Sequence, residues 1–387
     1  MLVVALIAAA FLLLGALEYA RHRRNLRAIP VRVHVGGTRG KSTVARLVAA
    51  GLRAGGLRVV AKTTGAAARY IRADGTEEPI ERDGPPHIRE QVGVIARAAR
   101  DGARALVVEC MAVRPDLVRL GEERIVQSTV AVLTNVRPDH LEATGRGAGD
   151  VARSLAGMVP SRGVLFTAGR EGLGAVRARA RRLGTEVREV APLRGDPRAR
   201  GFRRFEHAEN VELAADVCEY LGVPRDVAMR GMREAPPDPG ALSVDRVIRG
   251  GVDIEFVNAF SANDPASAEA IWEALGLNGR SASVVIVAAM REDRPERAAA
   301  FGRAFAGGLA ADRYVLAGGG TAATRRSALA AGVPTDRLLD LGGLAADEVV
   351  RRLLEPMADG DVVVGIGNTG GVGREIGEIL GKERREL

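Results

Sequence analysis

The chain opens on an apolar segment that contains no charged residue. Met1 to Leu17 would extend about 26 Å as an α-helix, close to the roughly 30 Å hydrocarbon core of a bilayer. Four arginines follow within the next ten residues, and the positive-inside rule places such a cluster on the cytoplasmic face. The pattern predicts a single membrane anchor over residues 1–20 and a basic juxtamembrane linker over 21–30, with the rest of the chain in the cytoplasm.

Two other interpretations of the apolar segment stay open. A cleaved signal peptide would also begin the chain, but the run lacks a preceding basic residue and an obvious small-x-small cleavage site. A buried core helix would also fit a run shorter than about 20 residues, although its position ahead of the first strand argues against it.

Beyond the linker, short runs of aliphatic and β-branched residues alternate with segments of helical spacing. Val31–Val35 is the first such run, and Ser42–Ala54 has the apolar spacing of a helix. Further strands are predicted at 57–61, 105–109, 129–134 and 164–167, and a helix at 210–221. Because strands that alternate with helices form a mostly parallel sheet, residues 31–240 are predicted to be an α/β domain.

A proline-rich segment, 236–240 with the sequence PPDPG, cannot continue a regular element. After it, strands are predicted at 252–257, 284–288, 314–317 and 362–366, separated by Ala- and Arg-rich helical segments. This alternation predicts a second, Rossmann-like α/β domain over residues 241–387, which is a usual domain size.

The composition agrees with two α/β domains and excludes several classes. Apolar residues make up 47% of the chain and charged residues 27%, which excludes a disordered or fibrous protein. Cys110 and Cys218 lie far apart, so neither a disulfide framework nor a cysteine-based zinc site is indicated. The net charge of +8 reflects arginine without the aromatic patterns of RNA-binding modules, and no nucleic-acid partner is expected.

The turn between the first strand and its helix, GTRGKST, has the composition of a phosphate-binding loop. In such loops backbone N–H groups converge on an anion, lysine meets the outer phosphates, and Ser or Thr binds magnesium. The predicted ATP contacts are Gly37, Thr38, Arg39, Gly40, Lys41, Ser42 and Thr43, with Ser42 on Mg²⁺. The first position of the general GxxxxGK[ST] pattern is Val35, and a glycine-rich turn with an exposed lysine is the alternative.

Two further residues are candidate metal ligands. Glu109 ends the apolar run at 105–109, and the carboxyl ends of parallel strands are where ligand-binding groups gather. His140 follows the strand predicted at 129–134, within TNVRPDHL. Taken alone, a strand-ending glutamate is more often solvated and a single histidine is more often a satisfied polar side chain.

Taken together, the motifs resemble the Mur ligase superfamily, which includes the muramyl-peptide ligases and folylpolyglutamate synthase. That superfamily has a GTxGK[ST] loop preceded by a residue other than glycine, as at Val35. A narrower resemblance is to the membrane-anchored poly-gamma-glutamate synthase subunits of the PgsB/CapB type. It rests on the apolar N-terminus and on the segments KTTG at 62–65, IREQ at 88–91, ECMAV at 109–113, NAFSANDP at 258–265 and GIGN at 365–368.

This resemblance, which covers nearly the whole chain, implies a set of site residues. The implied catalytic residues are Lys41, Glu109, His140 and Arg291, and the implied metal ligands are Ser42, Glu109 and His140. The implied nucleotide contacts outside the loop are Asn210, Asn258 and Asn263. Candidate substrate contacts are Lys62, Thr63, Thr64 and Arg89. No lysine occurs between Lys62 and Lys382, so the carbamylated lysine of many Mur-type ligases is excluded at the matching position.

The resemblance also implies an activity. ATP would phosphorylate a carboxylate, and an amine would attack the acyl phosphate to give an amide, ADP and phosphate, with ATP and Mg²⁺ as cofactors. The implied substrates are glutamate and a poly-gamma-glutamate chain, and the implied partner is a multipass membrane subunit; a homo-oligomer stays open. One alternative is a folylpolyglutamate-type or other Mur-like ligase, in which an anchor has no role. Another is a membrane-tethered phosphate-loop kinase or ATPase.

Overall fold

The computed structural model describes residues 1–64, 68–82, 84, 86–136, 147–169, 172–190, 202, 207–236, 242–249, 251–381 and 384–385 of the 387. The chain forms two compact units, Met1–Asp238 and Pro239–Leu387. The domain boundary predicted between residues 240 and 241 lies two residues beyond this division.

The first unit is built on an eight-stranded sheet with the order β4-β3-β2-β5-β1-β6-β7-β8. Its strands are β1 (Val31–Gly36), β2 (Val59–Thr63), β3 (Arg69–Ile71), β4 (Glu77–Pro79), β5 (Ala105–Glu109), β6 (Val130–Leu133), β7 (Val164–Thr167) and β8 (Glu186–Glu189). All neighbours pair in parallel except β3, which is antiparallel to both β2 and β4. The predicted parallel sheet is therefore confirmed, with a short antiparallel edge added.

Helices cover both faces of this sheet. They are α1 (Leu2–Ala28), α2 (Lys41–Ala54), α3 (Glu90–Arg100), α4 (Pro115–Leu120), α5 (Ala148–Leu155), α6 (Gly174–Leu183), α7 (Ala208–Tyr220) and α8 (Arg225–Glu234), with a π-helical segment at Gly121–Val126. One apolar cluster joins the sheet to α2, α7 and α8. Another joins the opposite face to α3 and the end of α1. Because the sheet is covered on both faces, the strands β5 (ALVVE) and β6 (VAVL) are nearly continuous apolar runs in the sequence.

Helix α1 is, among the described residues, the one helix long and apolar enough to cross a membrane. Its most apolar stretch is wholly exposed, so the alternative of a buried core helix is wrong. The helix does not stop where the apolar residues end. It continues through most of the segment predicted as a juxtamembrane linker and ends at Ala28.

The last turns of α1 belong to the core of the first unit. Leu26 and Ile29 are buried in the apolar cluster that contains α3. His22 is buried and its Nε2 lies 2.9 Å from the carbonyl oxygen of Ile125. Arg32 donates from Nη1 to the carbonyl oxygens of Leu26, at 3.1 Å, and Ile29, at 2.7 Å. These bonds satisfy carbonyl groups that a helix end leaves without partners.

The second unit contains a seven-stranded sheet with the order β13-β12-β11-β14-β10-β9-β15. Its strands are β9 (Ser243–Arg249), β10 (Val252–Asn258), β11 (Val284–Met290), β12 (Arg313–Gly318), β13 (Leu338–Asp340), β14 (Val362–Ile366) and β15 (Arg384–Arg385). Its helices are α9 (Pro265–Ala274), α10 (Pro295–Ala304), α11 (Thr321–Ala330), α12 (Ala346–Leu354) and α13 (Val372–Gly381). Strand β9 is antiparallel to β10 and β15, and all other neighbours are parallel.

A buried charged pair supports the strand that leads into the glycine loop. His34 of β1 and Glu122 of the π-helical segment are both buried, with 2.8 Å between Nδ1 and Oε2. Ser128 donates its N–H and hydroxyl to the other Glu122 oxygen. Burial alone would lower the pKa of His34, but hydrogen bonds with Cys110 and Glu122 raise that pKa to about 10.

Replacing His34 should destabilise the first unit. In His34→Leu, Glu122 keeps only its Ser128 donors, and a buried charge that loses its partner costs about 3–5 kcal/mol. The first thermal transition of the full chain in detergent should fall by roughly 6–20 °C. The control is His87→Leu, at an exposed histidine whose Nδ1 accepts only the N–H of Arg89; losing this bond costs about 1 kcal/mol and should lower the transition by no more than about 4 °C.

The same substitution should change the response of stability to pH. Since the folded pKa of about 10 lies above the ordinary 6.5, protonated His34 stabilises fully below pH 6.5 and loses this effect as pH rises through 10. The difference in the free energy of unfolding between the wild type and His34→Leu should therefore decrease between pH 7 and pH 10. A constant difference over this range would contradict the assignment.

Candidate functional site

The loop between β1 and α2 has the backbone of an anion-binding turn. Gly37 has φ +121° and Gly40 has φ +81°, in the left-handed region that favours glycine. A Cβ at Gly37 would lie 2.1 Å from Thr134 Oγ1, and one at Gly40 would lie 2.7 Å from Asn210 Oδ1. Space and conformation therefore both require glycine here, and the loop leads directly into the N-terminus of α2.

Asn135, two residues after the end of the neighbouring strand β6, fixes the shape of this loop. Its main-chain oxygen accepts from the N–H of Thr38 at 3.1 Å. Its side chain accepts from the N–H of Arg39 and donates to the carbonyl oxygen of Arg39, both at 3.1 Å. Asn210, the predicted adenine contact, is buried in the first turn of α7 against Gly40. The loop is thus held from two sides before any ligand binds.

Lys41 begins α2 and folds back over the loop. Its Nζ donates to the carbonyl oxygens of Gly37 and Thr38, both at 3.0 Å. The side chain is half-buried, which places a positive charge beside the converging N–H groups of the turn. This is the arrangement expected for binding the outer phosphates of a nucleotide.

Two of the predicted metal ligands meet at one point. The Ser42 hydroxyl donates to Glu109 Oε2 at 2.8 Å, and the N–H of Thr64 donates to the same oxygen at 2.5 Å. Glu109 is only 2% exposed and ends β5, the strand beside β1. A hydroxyl and a carboxylate at the mouth of a phosphate loop are the oxygen donors that Mg²⁺ prefers, so these residues fit the cation.

His140, the third predicted metal ligand, lies outside the described residues. Within the described part of the chain, no group of three or more His, Cys, Asp and Glu side chains could hold a metal ion. The assignment of His140 to the cation therefore stays a prediction.

The four predicted substrate contacts do not form one surface. Lys62 and Thr63 are wholly buried, and the Lys62 ammonium is 2.7 Å from Glu90 Oε1. Thr64 is half-buried and bound to Glu109. The Arg89 side chain is 74% exposed and lies 3.6 Å from Glu18 of α1. Of the four, only Thr64 touches the candidate metal site, and Lys62 has its charge paired inside the protein.

The predicted residues of the second unit lie at or just beyond the carboxyl ends of strands β10 and β11. Asn258 ends β10 opposite Gly365 of β14, and Arg291 directly follows β11, the parallel neighbour of β14. Asn263 is half-buried in the loop that leads into α9. Arg291 is exposed and donates to both carboxylate oxygens of Asp293 at 2.7 Å, which holds the pKa of Asp293 below its usual value.

Solved structures of other proteins share this architecture. The bifunctional folylpolyglutamate synthase/dihydrofolate synthase of Yersinia pestis, complexed with AMPPNP and a manganese ion, aligns with a TM-score of 0.68 at 19% identity, over 94% of this chain and 92% of that one. The folylpolyglutamate synthase of Thermotoga maritima aligns with a TM-score of 0.63 at 14% identity, over 97% of both chains. This likeness establishes a Mur-ligase-like α/β fold.

Sequence comparison is more specific. Residues 35–152 match the Mur ligase middle domain, and residues 244–383 match the poly-gamma-glutamate synthase CapB C-terminal domain. The PGA synthase CapB of Bacillus subtilis (strain 168) is 34% identical over 367 residues, which cover 94% of this chain and 93% of that protein. This chain belongs to the CapB family. The capsule biosynthesis protein CapB of Bacillus anthracis is also 34% identical, over 96% of this chain and 80% of its own length.

Most of the predicted site residues lie inside the two segments that match family models. The Mur ligase match includes the phosphate loop and Glu109, and the CapB C-terminal match includes Asn258, Asn263 and Arg291. The individual ligand roles of these residues stay predictions.

Sequence reasoning missed the residues that hold the site in shape. Asn135 follows the strand predicted at 129–134, and Gln91 lies in the IREQ segment that resembles the CapB-type subunits, but neither was assigned a role. The Gln91 side chain is buried and donates to the main-chain oxygen of Glu109 at 3.0 Å. The available signal was their place in the sequence: Asn135 directly follows the strand predicted at 129–134, and Gln91 lies in a segment that carries the family resemblance.

Gly40→Ala should weaken nucleotide binding by about tenfold or more. Alanine at a left-handed φ costs roughly 1–2 kcal/mol, and its Cβ would also displace Asn210 from the loop. Calorimetric titration of the full chain with a non-hydrolysable ATP analogue and Mg²⁺ measures this change.

Gly56→Ala is the matched control for this experiment. Gly56 has φ +83°, but a Cβ there would meet nothing within 4 Å, so the variant carries the backbone strain without the collision. Its affinity for the analogue should equal that of the wild type. Equal affinities for all three proteins would contradict the assignment of the loop.

Proposed function

We infer that this CapB-family chain is an ATP-dependent ligase that polymerises glutamate into poly-gamma-glutamate through an acyl-phosphate intermediate. The observation that carries this conclusion is the 2.8 Å hydrogen bond between Ser42 and the buried Glu109, at a phosphate loop in a chain that matches a PGA synthase along nearly its whole length. The cofactors are ATP and Mg²⁺.

The chemistry requires a carboxylate to become an electrophile. Phosphoryl transfer from ATP makes it an acyl phosphate, which the amino group of a second substrate then attacks to form the amide, releasing phosphate. Ser42 and Glu109, with His140 as the proposed third ligand, would hold Mg²⁺, which would supply charge neutralisation for the transferring group. Lys41 adds positive charge beside the loop, and the N–H groups at the start of α2 bind phosphate oxygens.

The remaining residues bind or orient the nucleotide in this proposal. Asn210 is proposed to contact the adenine. Asn258 and Asn263 are proposed as further nucleotide contacts, and Arg291 as a source of positive charge during phosphoryl transfer. Support for the roles of Asn258, Asn263 and Arg291 comes from the CapB C-terminal match, and Asn258 and Arg291 both lie at the carboxyl ends of parallel strands. Support for Asn210 comes from its buried position against Gly40 of the loop.

The alternatives are less favoured. A folylpolyglutamate-type ligase shares the fold, but the folylpolyglutamate synthases are below 20% identical, whereas the CapB relatives reach 34%. A membrane-tethered kinase or ATPase does not account for the CapB C-terminal match over residues 244–383.

We also propose that α1 spans the membrane once, with both units on the cytoplasmic side. Large apolar residues from Met1 to Leu17 are exposed, and the arginines that follow at 21, 23, 24 and 27 are exposed as well. The proposed partners are glutamate, the poly-gamma-glutamate chain and a multipass membrane subunit. A homo-oligomer is a further proposal.

Alkaline carbonate should leave the full chain in the membrane pellet. Leu6→Arg combined with Leu13→Arg should release it into the supernatant, because a charge at the bilayer centre costs about 2.5–3.5 kcal/mol on insertion scales. Release of the wild type by carbonate would contradict a spanning helix.

Lys41→Ala and Glu109→Ala should each lower glutamate-dependent ATP turnover by about 100-fold or more, since each removes charge stabilisation of the transferring phosphoryl group. The measurement uses membranes that carry the full chain with its companion subunits, with and without glutamate, and follows both ADP and polymer.

The exposed Arg351→Ala, which removes a surface ion pair with Glu348, is the control and should retain full turnover. ATP hydrolysis that is independent of glutamate and yields no polymer would contradict the ligase and favour an ATPase.

A further inference from the structure

Lys62 is the one lysine of the phosphate-loop unit besides Lys41, and its side chain is 0% exposed. It lies in β2 beside Val108 of β5, one residue before Glu109. Burying an ammonium is unfavourable unless the charge is paired, and burial lowers the pKa of Lys62 while Glu90 opposes that change. The 2.7 Å contact with Glu90 supplies the required partner.

Glu90 receives a second cation. Arg82 donates from Nε to Glu90 Oε2 at 2.6 Å and from Nη2 to Oε1 at 3.1 Å. Partial burial alone would raise the pKa of Glu90, but the hydrogen bonds from Arg82 and Lys62 lower it. Glu90 is also the first residue of α3, where the helix dipole favours a carboxylate. The carboxylate therefore fixes the N-terminus of α3 to β2.

Both elements joined by this ion pair hold Glu109 directly. Thr64, two residues after Lys62, donates its N–H to Glu109 Oε2 at 2.5 Å. Gln91, the residue after Glu90, donates from Nε2 to the main-chain oxygen of Glu109 at 3.0 Å. These contacts form a closed ring. Thr64 at the end of β2 binds Glu109, Glu109 binds Gln91 of α3, and the Lys62–Glu90 pair joins α3 back to β2.

We propose that Lys62 and Glu90 are positioning residues, which hold Glu109 in place for the divalent cation and do not contact glutamate. This proposal rests on the proposed function, because it assumes that Glu109 binds the metal. The wholly buried Lys62 ammonium contacts Glu90 and, at 3.6 Å, Met111 Sδ, so a substrate carboxylate could reach it only by displacing one of these groups. Displacing the Glu90 carboxylate would also take it away from Arg82. Residues that orient metal ligands commonly change metal affinity by about 10–100-fold when replaced.

The test compares Lys62→Met and Glu90→Gln in the full chain. Methionine keeps the unbranched apolar stem and leaves Glu90 paired with Arg82, while glutamine keeps the shape of Glu90. Binding of Mn²⁺ in the presence of AMPPNP is followed by the electron paramagnetic resonance signal of free Mn²⁺. Both variants should bind Mn²⁺ about 10–100-fold more weakly.

Kinetics separate positioning from substrate binding. The Mg²⁺ concentration for half-maximal glutamate-dependent turnover should rise in both variants, while the glutamate concentration for half-maximal turnover should stay within about twofold. The double variant should be no weaker in Mn²⁺ binding than the single variants, because the two residues act as one unit. An additive loss would contradict this shared role.

Arg97→Met is the matched control. Arg97 lies on the same helix α3 and is paired with Glu78, with 2.7 Å between Nη2 and Oε2, but none of its contacts reaches Glu109. The Mn²⁺ affinity of Arg97→Met should equal that of the wild type. If this control lost as much Mn²⁺ affinity as Lys62→Met and Glu90→Gln, any disturbance of α3 would be enough to weaken metal binding, and the proposal would be overturned.

Two further outcomes separate the proposal from the function on which it rests. Unchanged Mn²⁺ binding with about a tenfold rise in the glutamate requirement of Lys62→Met would overturn the proposal and assign Lys62 to the substrate. A wild type without glutamate-dependent turnover would contradict the ligase function instead, and the Mn²⁺ titrations would still test whether Lys62 and Glu90 hold Glu109.

Discussion

The candidate site depends on the parallel pairing of β1 with β5. This register sets Val35 opposite Glu109, so the strand that leads into the phosphate loop ends beside the strand that ends in the buried carboxylate. Helix α2 then returns over the sheet from the loop and brings the Ser42 hydroxyl to that carboxylate. A slip of one residue would turn Glu109 to the other face of the sheet and separate the pair. The site is therefore a consequence of strand register.

Elements that are apolar and continuous in the sequence could be predicted well. Strands β1, β5, β6 and β7 and helix α2 were predicted within about one residue of their observed bounds. Strands β5, β6 and β7 are buried on both faces and are nearly unbroken apolar runs, whereas β1 was recognisable from valine at every second position. Strand β2 lies two residues later than predicted. Strand β9 was missed because Asp245, Arg246 and Arg249 interrupt its apolar pattern, and pairing with β10 stabilises it instead. The exposed edge strand β8, with the sequence EVRE, was missed for the same reason.

The contacts around Glu109 were less accessible to sequence reasoning. The phosphate loop and Glu109 are recognisable because their residue types have few other uses in that order. By contrast, a lysine or histidine inside a strand normally predicts a solvent-facing position. Lys62 and His34 are buried because partners distant in the sequence, Glu90 and Glu122, reach them on the face of the sheet that α3 and the π-helical segment cover. No local pattern indicates such a partner, so Lys62 was predicted to contact substrate although its charge is already paired with Glu90.

The unbroken path of α1 into the first unit has a mechanical consequence. Only about 7.5 Å of helix separates Leu17, where the uncharged apolar segment ends, from His22, the first residue of α1 that is buried against the unit. With that segment in a bilayer, a continuous helix would hold the first unit close to the lipid surface. The unit would then be less free to reorient than it would be on a flexible linker. The unit could diffuse in the plane of the membrane and rotate about the membrane normal, but the helix would restrict its tilt relative to the bilayer. A chain elongated at this site would then be made within a few nanometres of the lipid surface.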